Sequence, residues 1–209
     1  YLMWVWARTL FLEDLKMRIS SLALPVLCLA WLVGGTAQAD LKDGLVAYYQ
    51  FEGDLTDASG SGHDAVPAAG GNVTFVGGFL GQAVDTREQG VDCGTWDPSD
   101  EQTDALSGSC WVYWLGLDGA AANWQGILAK RSGWGAGITR WWIESWSQQA
   151  TAGLTTHGDD GGGTVGSFTL IPDEWQHVAF GFDGTDASLY FNGEQVGSGP
   201  WSLSPDKDA

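Results

Sequence analysis

The chain has 209 residues, of which 44% are hydrophobic, and its 26 acidic and 9 basic side chains give a formal net charge of −17. The hydrophobic fraction is that of a globular protein and excludes a wholly disordered chain. The excess of acids argues against nucleic acid and against an anionic membrane surface as partners, because both require a clustered basic face.

The N-terminal part of the chain has the features of a leader. Met17 is a possible start, and Arg18 is followed by an uncharged apolar run over 22–33 and by an A-x-A sequence at 37–39. This order is typical of a secretory signal peptide. The apolar run is shorter than the roughly 20 residues of a membrane-spanning helix, so we expect cleavage; an uncleaved anchor is the alternative.

The leader sets the predicted domain organisation. Residues 1–16 form an N-terminal extension to which no structure is assigned, residues 17–39 form the signal peptide, and residues 40–209 form one domain. We therefore expect a secreted or cell-surface protein with no membrane span in the mature chain.

Strands are predicted throughout residues 40–209. No stretch has helical periodicity, whereas short runs rich in Val, Phe, Tyr, Trp and Leu recur between turn residues, which is typical of an all-β sandwich or barrel. In one run Val178, Phe180 and Phe182 alternate onto one face, and Asn192-Gly193 is a strong hairpin signal. The glycine-rich segment 159–163 is predicted to be a loop. The predicted strands are 45–51, 73–76, 83–85, 90–93, 109–117, 126–130, 138–145, 153–156, 175–182, 187–191 and 195–198.

Several motifs together resemble a known family. The segments 44–62, 81–84 and 110–112 contribute, and the most specific is 174–193, which contains W-x-H-V-A, then D-G, then L-Y-x-N-G. Over about residues 43–199 the chain resembles bacterial laminin-G-like, concanavalin A-like domains. The resemblance implies a jelly-roll sandwich of two antiparallel sheets. In that family further strands follow the last matching segment, so it also implies that the C-terminal strands are truncated here.

Catalysis is tested first against glycoside hydrolysis, because glucanases share this architecture. A retaining mechanism needs two carboxylates about 5–5.5 Å apart, which the laminarinase-like members place on one strand as E-x-D-x-x-E. Glu144 has no acid within four residues on its strand, and Asp173 and Glu174 are adjacent and would face opposite ways. His177 is expected to hold a loop by hydrogen bonding. We therefore predict a non-catalytic domain and no catalytic residue.

A calcium site is a candidate at the segment 57–62. Oxygen side chains alternate there and a glycine occupies the sixth position, which partly matches a calcium loop. Laminin-G-like sandwiches often carry a calcium ion at the rim, so the resemblance adds to this hypothesis. The candidate ligands are Asp54, Asp57 and Asp64. The alternative is an Asx-type turn that its own side chains cap.

Tryptophan is abundant, with 13 residues in the chain. Trp111 and Trp175 fall in core positions of the family and are expected to be buried. Five others lie among glycine and polar residues, so some should be exposed and could stack on sugar rings or contact a partner protein: Trp124, Trp134, Trp142, Trp146 and Trp201.

One predicted strand combines these tryptophans with an acid. Alternation over 140–146 places Trp142, Glu144 and Trp146 on one face, opposite Trp141 and Ile143. These three residues are the candidate ligand-binding site, with two aromatic planes for a short oligosaccharide and a carboxylate that accepts hydrogen bonds from hydroxyls. The alternative is that this face is covered.

The remaining cysteines after the leader, Cys93 and Cys110, form an even pair in an exported chain, which predicts one disulfide.

Taken together, the sequence predicts an exported module that binds a polysaccharide or glycoprotein glycan and is part of a larger multidomain protein. The alternatives are an adhesion or structural module that contacts protein neighbours, and a glycoside hydrolase of the same fold.

Overall fold

The computed structural model describes residues 2–6, 44–100, 102–117, 124–133, 139–156 and 163–201. The predicted signal peptide, Trp134 and the acidic pair 159–160 lie outside these ranges. Within them the chain forms strands and no helix, as predicted; accordingly, no helix in this part of the chain could cross a membrane. The strands are β1 Leu2–Trp6, β2 Tyr48–Tyr49, β3 Val66–Pro67, β4 Thr74–Gly77, β5 Gln82–Asp85, β6 Val91–Asp92, β7 Leu106–Tyr113, β8 Gln125–Arg131, β9 Thr139–Ser145, β10 Thr151–Thr156, β11 Gly163–Thr169, β12 Trp175–Phe182, β13 Asp186–Phe191 and β14 Glu194–Pro200.

Ten of these strands form one antiparallel sheet in the order β2-β1-β7-β12-β13-β14-β11-β10-β9-β8. The sheet folds over itself, so that side chains of β7, β12 and β13 pack against those of β9, β10 and β11. This arrangement is a concanavalin A-like jelly-roll sandwich, which confirms the predicted fold class. The short strands pair separately as β3-β6 and β4-β5.

The two halves of the sheet join where β11 meets β14. The register there pairs Gly166 with Gly197. A Cβ atom on Gly166 would lie 2.7 Å from the Cα atom of Gly197, so a side chain at this position would force the strands apart. The two glycines therefore permit a backbone contact that no other residue type allows. We call this contact the glycine seam.

Two apolar clusters stabilise the sandwich. The larger lies between the sheet halves and includes Val112, Ile143, Leu154, Phe180 and Leu189, each 3% exposed or less. The smaller lies beneath the N-terminal segments and consists of Ala47, Tyr49, Phe51, Ala65 and Val84. Alternation along β12 is complete, since every second residue from Gln176 to Phe182 is buried.

The predicted disulfide is not formed in the structure, where Cys93 and Cys110 are both free thiols. The reason is their placement in different apolar clusters. Cys110 lies on the inner face of β7 within the larger cluster, and Cys93 packs against the smaller one. Burial raises the pKa of Cys93 to about 11, against a hydrogen bond with Tyr49 that lowers it, and burial raises the pKa of Cys110 to about 12.

These pKa values predict slow alkylation of the native protein. At about pH 8 both thiols are protonated, and the thiolate is the reactive form, so iodoacetamide should label neither Cys93 nor Cys110 appreciably within the time that labels a small thiol. In denaturant without reductant, intact mass should show both labelled. A denatured, unreduced chain that takes up no label would instead establish a disulfide.

Candidate functional site

Aromatic side chains line a shallow groove on the outer face of β7 and β12. The strand register places Trp111 opposite His177 and Tyr113 opposite Trp175, so that all four side chains project to the side away from the core. Each is half-buried. Phe79, 47% exposed, completes the groove from the tip of the β4-β5 hairpin. We call these five residues the aromatic groove.

The rings of the aromatic groove form two inclined walls. Phe79 stacks on Trp111 with a centroid separation of 3.8 Å and an angle of 16° between the ring planes. Trp175 is inclined by 58° to Phe79, with centroids 6.5 Å apart. Tyr113 lies behind Trp175 at 5.4 Å, and His177 lies beside Trp111 at 5.1 Å. The arrangement is therefore angled, with one wall on the hairpin side and the other on β12.

The hairpin that carries Phe79 is anchored to the body of the domain by Glu52. Both carboxylate oxygens of Glu52 accept a hydrogen bond from the backbone N–H of Gln82 at 3.2 Å. The turn itself closes with a hydrogen bond of 2.9 Å from the Gly78 N–H to the Gly81 carbonyl. Gly81 has a φ of +61°, which favours glycine. Glu52 thus positions Phe79 without contacting the groove.

The turn before β12 fixes Trp175. The Gln176 side chain, 1% exposed, accepts a hydrogen bond from the Ile171 N–H at 2.7 Å and donates to the Ile171 and Glu174 carbonyls. Asp173, at a φ of +62°, donates its N–H to the Trp114 carbonyl on the neighbouring segment. These bonds hold the start of β12 in the register that faces Trp175 outward.

Polar groups occupy one end of the groove. Asn192 exchanges two hydrogen bonds with His177: its Oδ1 accepts from the His177 N–H, and its own N–H donates to the His177 carbonyl, each at 2.8 Å. Burial lowers the pKa of the His177 imidazole. The ring is therefore neutral at about pH 7 and can both donate and accept a hydrogen bond. The groove thus offers apolar planes together with uncharged hydrogen-bonding groups.

The predicted ligand-binding residues lie on the opposite sheet half. The structure confirms that Trp142 and Glu144 face the same side of β9, away from Trp141 and Ile143, which belong to the larger cluster. Trp146 lies on the same side, because its ring would be 3.3 Å from a Cβ atom on Gly153, the partner of Glu144.

The exposed fractions of Trp142, Glu144 and Trp146 show how much of this face is accessible to a ligand. Trp142 is 6% exposed and Glu144 is 2% exposed, whereas Trp146 is half-buried. Trp142 and Glu144 therefore cannot present a surface to a sugar in this conformation. The structure matches the alternative in which this face of the strand is covered. The sequence pattern predicted the face correctly, but alternation alone contains no information about what lies over that face.

Glu144 is a buried carboxyl group with two polar neighbours. Burial raises its pKa, while the indole N–H of Trp142 and the charge of Arg131 act in the opposite direction. Nearby, Arg140 is 1% exposed and forms ion pairs of 3.1 Å with Asp104 and 3.4 Å with Asp97. These ion pairs connect Arg140 of β9 to the 97–104 loop.

The candidate calcium residues serve backbone hydrogen bonds. Asp57, 6% exposed, accepts four: from the N–H groups of Tyr48 and Ser59 at 2.9 Å, the Ser59 hydroxyl at 2.8 Å and the His63 N–H at 3.1 Å. Its own N–H donates to Asp64 Oδ1 at 2.8 Å.

Asp54 accepts from the Thr56 N–H at 3.0 Å in the same manner. Each oxygen of the Asp57 carboxylate is engaged twice, so Asp57 does not fit a cation ligand. In the described ranges no three acidic, histidine or cysteine residues come together as a metal site. The arrangement matches the alternative, an Asx-type turn, and we call Asp57 with its four donors the Asp57 hub.

The profile described as the concanavalin A-like lectin/glucanases superfamily matches residues 85–209, which is more than half of the chain. The chain belongs to this superfamily. No curated protein sequence matches significantly.

Three solved structures are similar to this superfamily member, to different degrees. Domain 4 of AbnA, an extracellular GH43 arabinanase from Geobacillus stearothermophilus solved in complex with arabinotriose, is similar with a TM-score of 0.55 at 21% identity, over 76% of each chain. A carbohydrate esterase from a Shiga toxin-encoding bacteriophage reaches 0.43 at 15% identity, over 68% of this chain and 75% of that one. A carbohydrate-binding module from Bacillus subtilis reaches 0.36 at 10% identity, over 67% and 81%. The similarity to the arabinanase domain supports the fold, whereas the other two TM-scores are too low to support it.

The aromatic groove of this superfamily member was not predicted from the sequence. Trp111 and Trp175 were expected to be buried, and the structure shows both half-buried on the outer face. A signal for Trp175 was available, because the alternation that turns Val178, Phe180 and Phe182 inward turns Trp175 and His177 outward. No comparable signal existed for Phe79, which reaches the groove through the pairing of β4 with β5.

Proposed function

We propose that the chain is an exported, non-catalytic module that binds an extracellular glycan through the aromatic groove. The observation that carries this proposal is the set of partly exposed rings of Phe79, Trp111 and Trp175 beside the neutral polar pair His177 and Asn192. Sugar rings have apolar faces and hydroxyl edges, and they bind where aromatic planes lie next to uncharged hydrogen-bonding groups.

Two further facts support the proposal. The chain belongs to a superfamily that includes lectins, and a similar solved domain is part of an extracellular arabinanase and was crystallised with an oligosaccharide. The signal peptide predicted over 17–39 and placement within a larger multidomain protein are parts of the same proposal, since they would bring the domain to polysaccharides outside the cell. Cleavage after residue 39 would remove β1, which pairs with β2 and β7, so the proposal requires that the exported domain keep its sheet without this strand.

Replacing Trp175 with alanine should weaken glycan binding about tenfold. Covering one aromatic face contributes on the order of 1.5 kcal/mol, which corresponds to that factor in Kd. Trp175 is half-buried at the start of β12, so circular dichroism and urea unfolding should accompany isothermal titration with soluble polysaccharides, and only a folded variant is informative.

Trp124→Ala is the matched control. Trp124 is 55% exposed and lies outside the groove, so its removal should leave Kd unchanged. A Trp175→Ala protein that is folded and binds with the wild-type Kd would exclude the aromatic groove as the binding site.

A second function is favoured by one other observation. Leu115, Leu117, Trp124 and Ile171 are between 41% and 55% exposed. The segment 114–117 meets that of Ile171 through the hydrogen bond from the Asp173 N–H to the Trp114 carbonyl, and that of Trp124 through the hydrogen bond from Gln125 Nε2 to the Gly116 carbonyl. Such a set of apolar residues suits contact with a protein neighbour. An adhesion module would show concentration-dependent association that Trp124→Ala reduces and Trp175→Ala does not.

A further inference from the structure

We infer that the aromatic groove takes a single, twisted, uncharged glycan chain from solution and does not bind the flat surface of a crystalline polysaccharide. This inference rests on the proposed function. Its basis is the geometry of the rings, and it names the class of glycan that this geometry admits.

The inclination of the rings excludes a flat ligand. The surface of a crystalline polysaccharide is planar, so it can lie only on aromatic rings that are coplanar. In the groove the ring planes of Phe79 and Trp175 differ by 58°, those of Tyr113 and Trp175 by 60°, and those of Trp111 and His177 by 53°. A plane laid on Trp175 would leave the Phe79 wall without contact.

The separation of the two walls shows how a chain would lie. A sugar ring inserted between two aromatic rings needs about 3.5–4.0 Å on each side, whereas the centroids of Phe79 and Trp175 are 6.5 Å apart. One sugar therefore cannot be sandwiched between them. Two successive sugars can each lie on one wall, provided that the second is rotated relative to the first by about the angle between the walls. That rotation is the property of a twisted chain.

The charge of the groove selects neutral sugars. The space between the rings is lined by Phe79, Trp111, Trp175, His177, Asn192 and Gly193. None of these is acidic or basic apart from His177, whose lowered pKa keeps it neutral. A uronate carboxylate bound there would lose hydration without gaining a cationic partner. The net charge of −17 further opposes an anionic chain.

Binding by the full chain to three kinds of carbohydrate tests the inference. Native affinity electrophoresis with soluble laminarin, linear arabinan and hydroxyethylcellulose covers neutral soluble chains, polygalacturonate covers charged chains, and depletion by microcrystalline cellulose and crystalline chitin covers flat surfaces. We expect retardation by at least one neutral soluble polysaccharide, and neither retardation by polygalacturonate nor depletion by either solid.

Phe79→Ala provides the second measurement. It removes the exposed ring of one wall at a hairpin tip and leaves the Trp111 ring of that wall 3.8 Å deeper, so that a sugar on Trp175 no longer has a second ring at the same depth for its neighbour. In the wild type a ligand of two or more sugars should bind at least tenfold more tightly than its monosaccharide, and in Phe79→Ala this advantage should be lost. Trp124→Ala should retain it.

The possible failures are distinguishable. Two results would overturn the inference and leave glycan binding intact. One is depletion of the protein by either crystalline solid, and the other is an oligosaccharide advantage that survives in Phe79→Ala. Absence of binding to every carbohydrate of the set would overturn the proposed function itself.

Discussion

Replacement of Asp57 by alanine should lower the free energy of unfolding by about 3 kcal/mol, because it removes a charged acceptor and leaves three partly buried backbone donors without their partner. The donors are the N–H groups of Tyr48, Ser59 and His63, so the carboxylate connects the start of β2 to both sides of the 57–63 loop. Urea unfolding at about pH 7 measures the loss. Asp54→Ala is the control, since Asp54 is exposed, and it should cost less than about 1 kcal/mol.

The pH dependence of this effect follows from the pKa of Asp57. Burial acts to raise the pKa, but the hydrogen bonds of the Asp57 hub outweigh it, so the pKa lies below its usual value. A lowered pKa in the folded state means that the stability from Asp57 is present above the pKa of the unfolded chain and is lost as the pH falls through that of the folded state. The difference between wild type and Asp57→Ala should therefore shrink in acid.

The effect of calcium tests whether the Asp57 hub is a cation site. Because protein donors engage the lone pairs of the Asp57 carboxylate, the unfolding midpoint of the wild type should be the same in millimolar calcium and in chelator. A calcium-dependent rise that Asp57→Ala abolishes would show that the carboxylate is a cation ligand, as the sequence pattern first indicated.

Replacement of Trp142 by alanine should also cost about 3–5 kcal/mol, the usual range for removing a buried aromatic ring. Trp142 is 6% exposed and its indole N–H lowers the pKa of Glu144, so the variant loses both volume and a polar group beside Glu144. Urea unfolding measures the loss, and Trp124→Ala should change stability by less than about 0.5 kcal/mol because it lies at the surface. A folded Trp142→Ala protein of wild-type stability that no longer binds glycan would reinstate Trp142 as a binding residue.

The substitution Trp142→Phe keeps an aromatic ring at this position and removes the indole N–H group, so it distinguishes the two contributions. The pKa of Glu144 is raised by burial, so protonation of Glu144 favours the folded state, and this contribution is lost as the pH rises through the folded pKa. Without the indole N–H, ionised Glu144 has one fewer partner. The cost of Trp142→Phe should therefore increase from about pH 5 to about pH 8, a trend that loss of packing alone would not produce.

The sequence was sufficient for the fold because the relevant signals are local. The run 175–182 has the period of a strand and is observed with the same limits, and Asn192-Gly193 is the turn between β13 and β14. Strand β11 was missed, because Gly163, Gly166 and Ser167 interrupt its β-branched and aromatic residues. Its pairing is imposed by β10 and β14, which is a property of the tertiary structure.

The candidate sites were predicted less well, since exposure and ring geometry depend on residues far apart in the sequence. The pattern at 140–146 defined the correct face of β9, but it could not show that Trp142 and Glu144 are covered. The carboxylates near Asp57 had the spacing of a cation loop, and the same spacing suits backbone capping. Phe79 and Trp111, 32 positions apart, are brought together only by the folded hairpin.

The glycine seam has a consequence for the order of folding. Strands β12, β13 and β14 are consecutive and close through short turns, so they can pair early, whereas β7 must find β12 across more than sixty residues of intervening chain. The Gly166–Gly197 contact adds a closure between two residues that have no side chains to attract each other before the backbones meet. Formation of non-local pairs limits the rate for β-sandwiches, so the seam is expected to close late, after both halves have collapsed, and the chain is expected to fold on the slow side for its length.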